Sequence, residues 1–223
     1  GYTGAGMRIA VIDTGLDTDH PSFSEGGFLY GLEQTAAEQN TTVDSYDLLD
    51  VDEIGKALPY LNAAKDLAGV TADQLHLNAK VPFAFNYIDQ DLDVTHDHDT
   101  KGDHGTHVSG IAAANLYVDR NGGTDYVNMR QTQGVVGIAP DAQLLCMKVF
   151  GKNGGAYSDD YIAAIQDCLY LGVDVINMSL GSSAGFTRSY EGTELVNEVF
   201  DRLSSTDVVV AVSAGNAYSS AYS

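Results

Sequence analysis

The sequence predicts an α/β fold of three layers, a largely parallel sheet with helices on both faces, and three observations carry that prediction. Short β-branched apolar runs alternate with helical stretches of ten or more residues. The strand runs are almost continuously apolar, the pattern of strands covered on both faces. Segments bearing chemically capable side chains stand just past the predicted carboxyl ends of strands, the edge where open parallel sheets gather their function.

Taken in order, residues 7–12 form the first strand, entered from the glycine turn of GYTGAG. A dinucleotide fingerprint needs its glycines after a strand, opening a helix; here they precede it, so a nucleotide-binding reading loses its main support. Residues 22–90 are the least patterned part, with a helical stretch at 58–67 and a strand at 81–88, VPFAFNYI, joined by polar, acidic connections. They read as an elaborated surface insertion within a single domain spanning 1–223, since no proline- or serine-rich linker marks a second one. Small residues over 106–115 predict a helix packed tightly on the sheet. Residues 143–150 form a strand, and Ser158 stands where it would cap a helix running to Leu171, with Asp159 and Asp160 favoured in its first turn by the helix dipole. Ile162, Ile165 and Leu169 would be the buried stripe of that helix and Gly172 its stop. A strand at 173–178 follows. Leu195, Val196, Val199, Phe200 and Leu203 then stripe another helix, and DVVVAVS at 207–213 is the last strand.

Composition narrows the function. Thirty-one acidic residues against eleven basic ones give a formal net charge of −20, a field that repels nucleic acid and anionic membrane. An acidic surface also serves solubility, which is reason enough for it. No apolar run reaches the roughly 18 residues a membrane span requires. The two cysteines, Cys146 and Cys168, show neither metal-ligand spacing nor a CxxC pair, and read as buried thiols with a disulfide left open. No leader precedes the first strand, which is compatible with one having been removed.

Three segments carry chemistry. Asp13 ends the first strand in IAVIDTGLD, His104 opens the box HGTHVSG, and Asn216 stands in SAGNA. Alone, Asp13 would be a turn aspartate and His104 a structural histidine; together, in this order and at element ends, they point to acid–base work at one sheet edge. The stretch HDHDTKGDH at 96–104 matches no firm zinc spacing and reads as a solvated acidic loop. Asp97, Asp99 and Asp103 crowd His104 and would favour its imidazolium, whereas a helix amino terminus opposes it. If the carboxylates prevail, activity rises from mildly acidic to neutral pH.

The segments AVIDTGLD, DHGTHVSGI, GVVGIAPDAQLLCMKVF, VINMSLGS and VVVAVSAGN, in that order, resemble the subtilisin-like serine proteases, or subtilases. They cover most of residues 1–20 and 102–217. The long interval between Asp13 and His104, with the phrase VPFAFNYID, resembles the cell-envelope branch that includes lactocepins and C5a peptidase.

What the resemblance implies is a serine endopeptidase acting on polypeptides through an acyl-enzyme. Asp13 would orient and stabilise the base, His104 would be that base, and Asn216 would donate its amide to the oxyanion. His107 would serve packing and hydrogen bonding. Ser179, Leu180 and Gly181 would pair with substrate backbone, Gly154, Gly155 and Ala156 would flank it on the other side, and Ser213, Ala214 and Gly215 would line the first specificity pocket. The chemistry requires no cofactor; a structural calcium ion is a family expectation with no ligand assigned here. An extracellular or cell-surface location also follows from the resemblance. The departure lies in the nucleophile. The family carries it in a GTSMA-like segment opening a later helix, and residues 217–223, AYSSAYS, hold none. The chain therefore reads as the amino-terminal part of a catalytic domain, incomplete at its carboxyl end and inactive alone, its partner being the remainder that carries the serine. The competing reading is a peptide-binding protein or pseudoenzyme on a protease fold, with no nucleophile downstream.

Overall fold

Four apolar residues in succession, IAVI, between a buried arginine and a buried aspartate, make the innermost strand because both of their faces are covered. In β1 (Arg8–Asp13), Ala10 and Ile12 enter one apolar cluster and Ile9 and Val11 the other. The computed structural model describes residues 2–100, 102–123, 125–181 and 194–215. Among these, β1 is followed by α1 (Glu25–Glu38), α2 (Val51–Ala57), α3 (Asn62–Asp66), α4 (Ala72–Leu75), β2 (Phe83–Asn86) and α5 (His104–Ala113). Then come β3 (Tyr117–Asp119), β4 (Tyr126–Asn128), β5 (Gln143–Lys148), α6 (Ser158–Tyr170), β6 (Val175–Met178), α7 (Glu194–Leu203) and β7 (Val209–Val212).

Five strands form one sheet in the order β2-β5-β1-β6-β7, and every neighbouring pair is parallel. Parallel neighbours bring all their carboxyl ends to one edge, so Asp13, Lys148 and the residues after Met178 and Val212 share it. The register sets Asp13 directly opposite Lys148. Helices cover both faces. Side chains of α5 pack with Ile9, Val11, Leu144 and Cys146, while those of α6 and α7 pack with Ala10, Ile12, Leu145 and Ile176. The two cysteines therefore lie in clusters on opposite faces of the sheet, too separated by it to be bridged.

Segment 22–90 contributes more than surface. It supplies edge strand β2, and Phe28, Leu32, Leu49, Ile54, Leu61 and Leu75 are all buried. Its attachment is polar as well. Asp167, on α6, accepts hydrogen bonds from Asn62 N (2.7 Å) and Ala63 N (3.0 Å), the orphan donors at the start of α3, and from Tyr87 Oη (3.0 Å).

Two local expectations are corrected. Ser158 is the first residue of α6 and not its cap; Tyr157 occupies the cap position without a side-chain hydrogen bond. The buried stripe of α6 runs through Tyr161, Ile162, Ile165 and Cys168. Leu169, one step round the helix, is 39% exposed beside Tyr170, whose ring stacks on Tyr60. Gly172 ends the helix as its sequence implied, with φ at +63°, and a Cβ there would press on Arg8 Nη1 at 2.9 Å.

Candidate active site

Asp13 reaches the sheet edge as the last residue of a fully buried strand, and its side chain is 1% exposed. A carboxylate so placed has to be met by donors. Oδ1 accepts from Thr14 N at 2.7 Å and from His104 Nδ1 at 2.8 Å. An ionised carboxylate only accepts, so the proton of the imidazole sits on Nδ1 and Nε2 is left with a free lone pair. The His104 side chain is 54% exposed, so the ring has one edge in the protein and one facing outward. Among the described residues no serine hydroxyl bonds to Nε2.

The start of α5 is fixed onto the end of β1 by reciprocal bonds. Thr14 Oγ1 accepts from Gly105 N at 2.8 Å and donates to Gly102 O at 3.3 Å. Thr106 Oγ1 accepts from Asp17 N at 2.8 Å. Gly105 is required by proximity, since a Cβ there would lie 2.3 Å from Gly15 O. Gly15 itself has φ +112°, and a Cβ on it would lie 2.2 Å from Val94 O.

The acidic stretch before His104 is held the same way. Leu16 N donates to Val94 O (2.8 Å) and Thr100 N to Lys152 O (3.2 Å). Asp99 is turned inward to pair with Lys148, whose Nζ also donates to Thr14 O at 2.7 Å. Asp93 meets His98 Nδ1 at 3.2 Å, and a hydrogen bond from the Thr95 hydroxyl is the largest influence holding its carboxyl below the usual range. Asp97 and Asp103 are exposed. The expected crowd of carboxylates around His104 thus resolves differently: the carboxylate that touches the ring is Asp13, and the charge of Asp99 is spent on Lys148. Among the described residues no group of three or more His, Cys, Asp or Glu is placed to hold a metal ion.

The other candidates fall along the same edge. Ser179, Leu180 and Gly181 follow β6, with Asn177 Nδ2 donating to Ser179 Oγ at 3.0 Å. Ser213 follows β7 and joins the two segments, its N donating to Met178 O (3.1 Å) and its hydroxyl to Leu180 O (2.9 Å). Gly154, Gly155 and Ala156 lie in the loop after β5. Among the described residues a Cβ on Gly155, Gly181 or Gly215 would meet nothing within 4 Å, which leaves room there for a second backbone to approach. Ser213, Ala214 and Gly215 are exposed; Asn216 lies outside the described residues. His107 is exposed, beside Ile111 on the outward face of α5, and makes no side-chain hydrogen bond to a described residue.

Sequence reasoning missed Thr14, Gly105 and Lys148. The first two were inside quoted motifs and unmarked by any titratable group. The signal for Lys148 was present: a lone cation in the apolar run LLCMKVF, at a strand's carboxyl end.

The profile of the subtilase family matches residues 4–223. The PII-type proteinase of Lacticaseibacillus paracasei is 31% identical over 218 residues, 96% of this chain and 9% of that protein. The minor extracellular protease Vpr of Bacillus subtilis (strain 168) is 29% identical over 216 residues, 97% of this chain and 18% of that protein. The C5a peptidase of Streptococcus pyogenes serotype M18 (strain MGAS8232) is 31% identical over 215 residues, 96% of this chain and 15% of that protein. The chain thus spans less than a fifth of the length of these relatives. Among solved structures, the S41 psychrophilic protease superposes with a TM-score of 0.50 at 27% identity, over 96% of this chain and 47% of that one.

Proposed function

Since this chain belongs to the subtilase family, we propose that it is the amino-terminal part of the catalytic domain of a serine endopeptidase, acting on polypeptides outside the cell or at its surface. The observation that carries the reading is the 2.8 Å hydrogen bond between buried Asp13 and half-exposed His104. Asp13 fixes the tautomer with the proton on Nδ1, so Nε2 takes the proton of a serine hydroxyl as that oxygen attacks the substrate carbonyl. His104 becomes imidazolium beside a carboxylate already in bonding contact, then returns the proton to the leaving amine. Asn216 and backbone N–H groups take the charge that develops on the carbonyl oxygen. The segments at 154–156 and 179–181 hold the substrate between them as an added extended strand, and residues 213–215 line the first specificity pocket.

The nucleophile comes from a segment beyond residue 223, and the chain alone is inactive. Uncovered apolar side chains support this: Val209 and Val212 on β7 are 61% and 43% exposed, and Ile111 and Ile138 are 55% and 81% exposed. Labelling with a fluorophosphonate probe tests the reading. The chain extended through the rest of its gene should label, His104→Ala should abolish it, and the 223-residue chain should not label. No labelling of the extended chain would favour a peptide-binding pseudoenzyme, and labelling of the short chain would overturn the account of the nucleophile.

A further inference from the structure

We propose that Lys148 is a positioning residue for the Asp13–His104 pair, an inference that rests on the reading of that pair as the working acid–base couple. The argument starts from the cost of its place. Residues 144–147 of β5 are buried and apolar or nearly so, and the next position, 1% exposed, holds a lysine. Filling that space with an apolar side chain avoids the desolvation of an ammonium, and a buried ion pair is a poor device for stability as such. What an ammonium adds is direction.

Its two bonds run to the two backbone stretches that carry the pair. One goes to Thr14 O, 2.7 Å away, in the residue next to Asp13, whose own N–H holds Asp13 Oδ1. The other goes to Asp99, in the stretch leading into His104. The register sets Lys148 opposite Asp13, and Val149 N holds Asp13 O at 2.9 Å, so the ammonium is anchored to the strand that fixes the carboxylate. Its stem supports the same turn: the position of a Cβ on Gly15 is 3.2 Å from Lys148 Cδ. Lys148 therefore ties the carboxylate side and the imidazole side of the bond to one rigid strand. Without it, the stretch before His104 keeps the bonds of Val94 O to Leu16 N, Gly102 O to the Thr14 hydroxyl and Thr100 N to Lys152 O, but loses its only inward-facing ion pair among the described residues.

The test uses the extended, active protein, with kcat counted per fluorophosphonate-titrated site so that loss of folded enzyme does not register. Lys148→Met keeps most of the stem and removes both bonds; kcat should fall about 10- to 100-fold, the scale of a misplacement of about 1 Å, with KM changed less than about twofold. Asp99→Asn leaves the bond to Thr14 O in place and should lower kcat by a smaller factor, and the double variant should be no worse than Lys148→Met alone. Proton NMR gives a readout that packing alone does not move: the strongly hydrogen-bonded Nδ1 proton of His104, far downfield, should shift or broaden in Lys148→Met. A kcat per site equal to wild type in Lys148→Met overturns the inference; if that variant yields no folded enzyme, an unchanged kcat in Asp99→Asn overturns it instead. His104→Ala separates the two levels of reading. Full activity there removes the catalytic assignment itself, whereas loss there with wild-type Lys148→Met and Asp99→Asn removes only the positioning role.

Discussion

Alanine at position 105 adds one methyl group, in a helix, where alanine is normally the better residue by about 1 kcal/mol. The structure reverses that expectation. The added Cβ would stand 2.3 Å from Gly15 O, 2.9 Å from Gly15 N and 3.1 Å from Thr14 N, all backbone atoms of the turn that follows Asp13. Real contacts of this kind stop near 3.0 Å, so the start of α5 has to retreat by at least about 0.7 Å, a displacement of the order that costs up to 10²-fold in rate. A retreat along the line to Asp13 stretches the 2.8 Å bond of His104 beyond hydrogen-bond range, and also the 2.8 Å bond from Gly105 N to Thr14 Oγ1. Overpacking costs about 1–3 kcal/mol, which exceeds the helical gain. Gly105→Ala in the extended protein should therefore lose about 10- to 100-fold in kcat, with KM nearly unchanged, and should melt a few degrees below wild type. Hydrolysis of a peptide reporter, normalised to titrated sites, gives the first quantity and thermal unfolding the second. A variant with wild-type kcat and a raised melting temperature would refute the close-approach argument.

Two further predictions concern the scaffold. Lys80 is wholly buried, and burial lowers its pKa to about 7; its Nζ donates to Pro140 O at 2.9 Å and Ala142 O at 2.7 Å, a count that the two protons of the neutral amine satisfy. Above pH 7 the unfolded chain still binds the proton that the folded one has released, so stability should rise with pH, by about 2 kcal/mol between pH 7 and 8.5. Urea midpoints across that range should show the slope in wild type and not in Lys80→Met, and parallel slopes would disprove it. Asp167 has its pKa raised, chiefly by burial and against the bonds from Ala63 N, Asn62 N and Tyr87 Oη. Asp167→Ala leaves those donors unmet and should destabilise by about 3 kcal/mol, Asp167→Asn by less. Equal urea midpoints for wild type and Asp167→Ala would show that α3 does not depend on the contact.

How far the residues disclosed this depended on how local the cause was. β1 and β5 were legible because a strand buried on both faces writes its apolar character continuously, and β6, alternately buried, because it follows the stop of α6 at Gly172. Asp13 and His104 were legible because they occur together, in order, at a strand end and a helix start, where either alone would have read as a turn or structural residue. Leu169 was misjudged because a helix wrapped by α3 and the 58–60 turn buries Tyr161 and Cys168 instead, and that choice is made by the neighbours. Residues 22–90 resisted reading because their helices are short and held by distant partners such as Asp167 and Gln143, whose side chain accepts from Leu49 N at 2.7 Å. The crowding of Asp97, Asp99 and Asp103 on His104 was inferred from sequence adjacency, and Lys148, 49 positions from Asp99, drew Asp99 elsewhere. Thr14 and Gly105 had no signal of their own: a hydroxyl and a missing methyl group acquire meaning only when two backbones meet.

The bonds that fix Asp13 and His104 have a common property. They join residues 13–17, 94–106 and 148–152, and among the described residues none passes through 179–181 or 213–215. The acid–base pair is therefore built on β1, β5 and the start of α5; of the segments that would hold the substrate, 179–181 and 213–215 follow β6 and β7 and are joined to each other through Ser213, while 154–156 lies in the loop after β5. A pair preset in this way meets the nucleophile without having to reorganise, which is where such an arrangement lowers a barrier. The same division separates two kinds of change. Substitutions around residues 179–181 and 213–215 should act through substrate fit and KM, with the His104 bond intact, while those around residues 14, 99, 105 and 148 should act on kcat through the His104 bond with substrate fit intact.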